Sequence, residues 1–280
     1  MQDQADRVRR YYNKNTFWML LFGQGRGEGV IHRPVWIGEE RTRKEALHSV
    51  ERLIAEALLA VERSNRTVKQ ILDLGCGAGG SALWLAACYP VSITGITLSP
   101  FQAKTARRSA LRRGLSDRCR FLVADFTKLP DVRGITDAYA IESFSHGSDP
   151  AAFFTQIGNL LPAGGRLILC DDFIAVKGQL ESKQRESWLS RFREGWHLQS
   201  LMTADEVLRI AVQRGFDPVQ RIELTPYLRQ TDPLIRRLQH LAGRILRRSA
   251  WGASMYGGSA LQICQQNGWA EYLFLVLEKR

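Results

Sequence analysis

The run Ile71-Leu72-Asp73-Leu74, followed by Gly75-Cys76-Gly77-Ala78-Gly79-Gly80, limits what this chain can fold into more than any other stretch. An apolar segment stops in four glycines within six positions, and Ser81-Ala82-Leu83-Trp84-Leu85-Ala86 then reads as a helix. Strand, glycine-rich turn and helix form the nucleotide-binding opening of a doubly wound α/β sheet. Glycine is needed at such a turn because the backbone takes positive φ and a ligand must approach it closely.

The same alternation continues downstream. A second strand is expected over 91–98, and Ser99-Pro100 starts the next helix with proline at its first position. A third strand over 119–124 ends at Asp125. A fourth, over 136–141, delivers Glu142-Ser143-Phe144-Ser145-His146 to its carboxyl end, the edge where open α/β sheets bind ligands. A helix over 151–161, a turn and a fifth strand over 167–172 complete a pattern that predicts a parallel sheet with right-handed crossovers. Further on, 183–199 reads as a helix carrying Trp188, Phe192 and Trp196. Thr203 caps a helix that ends at Gly215, a sixth strand spans 219–224, and 271–277 suits a last strand. Asp232-Pro233 opens a basic helix with Arg236, Arg237, His240, Arg244, Arg247 and Arg248, readable as an anchor for an anionic ligand or as a membrane-binding surface. The segments 175–200 and 229–268 exceed the ~12–15 residues of an ordinary loop and read as pocket walls and lid.

Residues 1–65 precede the sheet and are expected to form a helical cap on a core of 66–280. An amphipathic helix is predicted over 4–22, bearing Tyr11, Tyr12 and Trp18. A glycine-rich loop, then His32, Arg33 and Trp36, lead to a helix from Thr42 to about Glu62, opened by a capping box with Glu45.

With 280 residues and 45% hydrophobic content the chain can bury one large core. A formal charge of +11 fits an anionic small molecule, an anionic membrane face, nucleic acid, or merely a solvated surface. Five scattered cysteines without a Cys-x-x-Cys read as reduced core thiols, with no zinc site. Met1 to Arg10 is too polar for a secretory leader and no apolar run approaches the ~20 residues of a membrane span, so a cytoplasmic setting is expected.

Asp73-x-Gly75-x-Gly77 resembles the first motif of the class I S-adenosylmethionine-dependent methyltransferases. Gly95-Ile96-Thr97-Leu98-Ser99-x-x-Gln102 and Ile141-Glu142-Ser143-x-x-His146 resemble motifs of one subgroup, the sterol, tocopherol and prenyl-diphosphate C-methyltransferases with the cyclopropane fatty acid synthases. That resemblance implies a Rossmann-like, doubly wound, seven-stranded sheet whose last strand inserts antiparallel between the fifth and sixth. It implies S-adenosyl-L-methionine held by Asp73, Gly75, Gly77, Gly79, Thr97, Leu98, Gln102, Asp125, Phe126 and Glu142. The second strand lacks the usual ribose-binding carboxylate at its end, and Gln102 is expected to serve instead. Asp125 either meets the adenine amino group or caps a strand-end turn. The usual Leu-x-Pro-Gly-Gly turn is interrupted here by Ala163.

The resemblance further implies methylation of a lipophilic small molecule, foremost an alkene carbon of an isoprenoid. Glu142, His146 and Tyr12 are the catalytic candidates, and Tyr11, Trp18, His32, Arg33, Trp36 and Trp196 the candidates for the acceptor pocket. Glu142 would stabilise a carbocation and take its proton, or else bond a neighbouring loop; aromatic stripes of this kind are also ordinary core. The arginine excess suggests an anionic acceptor such as a diphosphate, with Arg33 as its anchor; magnesium would enter only alongside a diphosphate. An O- or N-methyltransferase with Glu142 or His146 as general base is the alternative. A nucleic-acid enzyme is disfavoured by Glu142-Ser143-Phe144-Ser145 after the fourth strand, and a catalytically silent protein by the intact glycine loop. Peripheral membrane contact and a homo-oligomer remain open.

Overall fold

The computed structural model describes residues 16, 28–59, 69–176, 183–247 and 249–280. The helix expected over 4–22, with Tyr11, Tyr12 and Trp18, lies outside them, as does the far end of the helix expected to reach Glu62.

Seven strands form one sheet in the order β3-β2-β1-β4-β5-β7-β6. They are β1 (Lys69–Leu74), β2 (Val91–Thr97), β3 (Cys119–Val123), β4 (Asp137–Ile141), β5 (Arg166–Ile174), β6 (Phe216–Glu223) and β7 (Ala270–Lys279). β1 runs parallel to β2 and β4, with Leu72 beside both Thr94 and Ala138. β7 runs antiparallel to β5 and β6. The chain order reverses beside β1, which is the point where such sheets open a crevice at their carboxyl ends.

The apolar runs are nearly continuous because both faces of the sheet are covered. Ile71, Ile93, Tyr139, Ile168, Phe274 and Val276 point to one face. There they pack with α1 (Arg43–Leu47), α2 (Ser49–Leu59), α3 (Gly80–Cys88) and α4 (Pro100–Arg112) or lie under their cover. Leu72, Leu74, Ala138, Leu167, Leu275 and Leu277, the alternate residues, point to the other, against α5 (Pro150–Leu160) and α7 (Ala204–Gln213). α6 (Lys183–Trp196), α8 (Pro233–Ile245) and α9 (Ala250–Gln266) stand beyond the sheet's carboxyl edge; α6 and α9 share a smaller cluster that includes Leu189, Phe192, Leu261 and Cys264, and α8 packs on them through His240, against Trp188 and Tyr256.

Two expectations need correction, and a stretch with no expected element is helical. The helix expected from Thr42 breaks at His48, whose ring stacks on Trp84 with centroids 4.7 Å apart. β6 begins at Phe216 rather than 219. Pro218 is tolerated because β6 is an edge strand and the register slips between Pro218 and Gln220. The glycine-rich stretch after 250 is a helix of 17 residues. Its glycines serve packing: a Cβ at Gly257 would overlap Trp196, one at Gly195 would overlap Gly257, and one at Gly243 would lie 2.6 Å from the Tyr256 nitrogen. The three outer helices thus meet backbone to backbone.

Candidate active site

A cavity of about 1190 Å³ opens at the carboxyl edge of the sheet. That exceeds the ~300–1,000 Å³ that suits one drug-sized ligand, so a cofactor and an acceptor fit together.

One side is made by strand ends. Gly75 and Gly77 lie on its floor with φ of 88° and 53°. A Cβ at Gly75 would overlap Ser143, and the backbone nitrogens of Gly75 and Cys76 both donate to the Ile96 carbonyl at 2.9 Å. The turn is therefore bare of side chains and tied to β2. Asp73 and Gly79 stand behind this wall rather than on it. Asp73 is buried and accepts from the Tyr139 hydroxyl at 2.8 Å; burial pushes its carboxyl up to about 7. Gly79, at the start of α3, packs against Ala106 and Phe121.

Thr97 and Leu98 follow at the end of β2. The Thr97 hydroxyl donates to Gln102 Oε1 at 2.6 Å, and Gln102 Nε2 donates to Thr16 Oγ1 at 2.9 Å. Gln102 reaches the cavity wall with its amide already held at both ends. Asp125 Oδ1 accepts from the Thr127 nitrogen and hydroxyl at 2.8 and 2.7 Å, the turn geometry named above as one of its two roles. Phe126 beside it packs edge-on against Phe153. Both residues line the cavity.

Glu142 leaves β4 with φ of 46°, a left-handed conformation costly for a side-chain-bearing residue and frequent at functional sites. Its Oε1 accepts from the Arg33 nitrogen at 3.1 Å and from Arg33 Nε at 2.9 Å. Arg33 Nη2 reaches Asp172 Oδ2 at 2.7 Å, and Gln265 Nε2 donates to Asp172 Oδ1 at 3.1 Å. The guanidinium also lies 4.2 Å from the Tyr272 ring centroid. Arg33, expected to grip an anionic acceptor, is engaged by two carboxylates of the protein, the buried Asp172 and the partly exposed Glu142. A third anion there would meet a site already neutralised.

The electrostatics follow from this arrangement. Burial works to raise the Glu142 carboxyl, yet Arg33 and His32 hold it below its ordinary value. Burial pushes Asp172 up to about 7 against the pull of Arg33, and the adjacent Asp171 up to about 6. His32 is buried, which disfavours its imidazolium, but Glu51 at 2.9 Å outweighs burial and raises it to about 9. His32 is thus a charged brace, its other nitrogen 3.1 Å from the Arg33 carbonyl oxygen. His146, in a short 3-10 turn on the cavity wall, is pushed by burial down to about 4 and is neutral at pH 7.

The other side comes from α6, α8, α9 and the loop before α8. Trp196 and Trp36 line it; the Arg229 guanidinium sits 3.2 Å from the Trp36 ring centroid. The residue reading missed Gln199, Gln230, Gln239, Gln262 and Gln265, along with Trp251, Ser254 and Met255, all on this wall. A signal existed: positions 251, 254, 258, 262 and 265 recur at helical spacing. The glycines among them hid the helix.

A family described as "Methyltransferase domain" matches residues 71–165. The chain is 30% identical over 202 residues to an O-methyltransferase of Pyrenophora dematioidea, covering 72% of this chain and 73% of that protein. It is 26% identical over 216 residues to cycloartenol-C-24-methyltransferase 1 of Oryza sativa subsp. japonica, covering 77% of this chain and 60% of that protein. A geranyl diphosphate C-methyltransferase from Streptomyces coelicolor A3(2), solved with Mg2+, geranyl diphosphate and S-adenosyl-L-homocysteine, superposes with a TM-score of 0.70. It is 19% identical, with 99% of this chain and 98% of that chain covered, and its likeness is one of fold. Motif order, strand order and relatives agree, and the chain belongs to the S-adenosylmethionine-dependent methyltransferases.

Proposed function

We propose that the acceptor is a lipophilic small molecule methylated at an alkene carbon, of isoprenoid character. The observation that carries this reading is the strained Glu142 on the cavity wall, 12% exposed at its side chain and kept anionic by Arg33.

The bare floor fits the cofactor. Gly75 and Gly77 would pass under its amino-acid end, Thr97, Leu98 and Gln102 would face its ribose, and Asp125 and Phe126 its adenine. Asp73 and Gly79 would hold the turn from behind. When bound, S-adenosylmethionine supplies a methyl group on a sulfonium for in-line transfer. The protein's own task is to orient the acceptor, exclude water and meet developing charge.

The choice between carbon and oxygen turns on the strength of the bases available. Glu142 is held low and His146 titrates near 4, so both are weak bases at neutral pH. A weak base suffices to take a proton from a carbocation, which sheds it readily. It serves poorly for a neutral hydroxyl. Trp196, on the cavity wall, would offer its ring to the cation. Should the acceptor carry a diphosphate, Arg41, Arg43 and Lys128 on the wall would meet it in place of Arg33.

A second reading, O-methylation of an oxygenated metabolite, is favoured by the five glutamines on the outer wall and by the relative from Pyrenophora dematioidea. Isotope-labelled S-adenosylmethionine with prenyl diphosphates, triterpenes, sterols and phenols separates the two by mass spectrometry. Carbon-bound methyl formed by wild type and reduced about a hundredfold in Glu142→Gln is the expected result, in line with the ~10²–10⁴-fold worth of a positioned base. Label in a methyl ether, with Glu142→Gln little changed, would favour oxygen.

A further inference from the structure

We propose that α8 docks the protein on an anionic lipid bilayer and that the lipophilic acceptor enters the cavity from that surface. Leu234, Leu238, Leu241 and Ile245 fall at helical spacing on one face of α8, and they are 66%, 59%, 56% and 73% exposed. None of them lines the cavity. A continuous stripe of large aliphatic side chains in water marks a surface that is covered in use.

Two observations identify the cover. First, the charge is complementary to an anionic surface. From Pro233 to Arg247 there are four arginines, Arg236, Arg237, Arg244 and Arg247, and no acidic residue. On helical geometry Arg237 and Arg244 flank the stripe along one side, where their stems lie on the apolar boundary and their guanidinium groups reach lipid phosphates. Second, α8 itself borders the cavity, through the face turned away from the stripe. Gln239 of α8 and Trp251 at the start of α9 both line the cavity, and Trp251 is also half exposed. An amphipathic tryptophan of this kind suits the boundary between headgroups and acyl chains. No helix among the described residues is long and apolar enough to cross a membrane, so the contact lies in the plane of the surface. The entry route rests on the lipophilic-acceptor reading given above; the docking does not.

The test uses full-length protein floated with vesicles of phosphatidylcholine alone and of phosphatidylcholine with phosphatidylglycerol, at low and high salt. It is compared with Leu238→Ser/Leu241→Ser and with Arg237→Glu/Arg244→Glu. Titration of S-adenosylhomocysteine into each variant checks that fold and cofactor site survive. Wild type is expected on the anionic vesicles, released by salt. The leucine pair should lower partition about tenfold or more, since each leucine is an apolar side chain withdrawn from lipid. The arginine pair should abolish the preference for phosphatidylglycerol. Failure to bind either vesicle overturns the proposal, and so does undiminished binding by the leucine pair. A dimer in sedimentation that the leucine pair dissociates would assign the stripe to a second copy of the chain and overturn it as well. Partition is read without any acceptor, so a negative acceptor panel and a negative flotation are separate results.

Discussion

The cavity has two sides made in different ways. On the side of β1 to β3, the wall is backbone: glycines at positive φ, strand ends in fixed register, and a core on each face of the sheet that leaves little freedom. On the side of α6, α8 and α9, the wall is side chain: glutamines, serines and tryptophans on helices and flanking loops, where α6 and α9 share a small apolar cluster and Gly243 seats α8 against α9. The first arrangement suits a ligand that is always the same. The second can change residue by residue without disturbing the sheet, which is where a family with one methyl donor and many acceptors would vary. Arg33 joins the two sides. It holds Glu142 at the end of β4 and Asp172 on β5, while Gln265 of α9 holds the other oxygen of Asp172.

Breaking that joint should have the largest effect. Arg33→Leu leaves the buried Asp172 and the partly exposed Glu142 without their cation, and loss of one partner of a buried pair costs ~3–5 kcal/mol. Urea unfolding at pH 7.5 should show a deficit of that size. The deficit should shrink toward pH 5, because protonation of Asp172 removes the uncompensated charge. An Arg33→Leu protein as stable as wild type at both pH values would show that the two sides are not coupled through this residue.

A smaller effect sharpens the description of the brace behind Arg33. The folded-state pKa of His32 is raised from 6.5 to about 9. The folded state therefore binds an extra proton between those values, and the stability this supplies is complete below pH 6.5 and lost as pH rises through 9. Asp73 and Asp172 titrate near 7, below this window, whereas Cys76, Cys119, Cys170 and Cys264, whose thiols burial pushes up, add a fall of their own above about pH 8 that a histidine variant shares. Denaturant midpoints should fall between pH 7.5 and 9.5 by the equivalent of about 2 kcal/mol more in wild type than in His32→Asn/Glu51→Gln, a pair that keeps a neutral hydrogen bond and all the thiols. Equal slopes in both proteins would mean that His32 is not a charged brace.

Legibility from residues divides along the same line. β1 to β5 and the glycine turn could be read because each strand is an apolar run ended by a turn or cap, and because ligand-binding residues follow directly on those ends. Gly75, Gly77, Thr97, Leu98, Asp125 and Phe126 lie on the cavity wall for that reason. The placement of Asp73 and Gly79 behind it could not be read, since depth along a turn depends on how the chain bends. α9 was hidden because glycine lowers helix propensity, and only the packing of Gly195 against Gly257 explains its presence. The partners of Arg33 lie 109 and 139 positions away, a distance that no local pattern spans. His48 breaks its helix to stack on Trp84, again a tertiary cause.

The division of labour between the two walls is tested most directly by titrating S-adenosylhomocysteine calorimetrically into wild type, Gly77→Val and Gln239→Ala, each shown folded by circular dichroism. Gly77 has φ of 53° and a Cβ there would lie 3.1 Å from Ile31 Cδ1, so valine should weaken binding about tenfold or more, the equivalent of ~1–3 kcal/mol of backbone strain. Gln239→Ala, on the helical wall, should bind as wild type does. Undiminished binding by Gly77→Val, or its loss in Gln239→Ala, would contradict a cofactor held by the strand ends and an acceptor held by the helices.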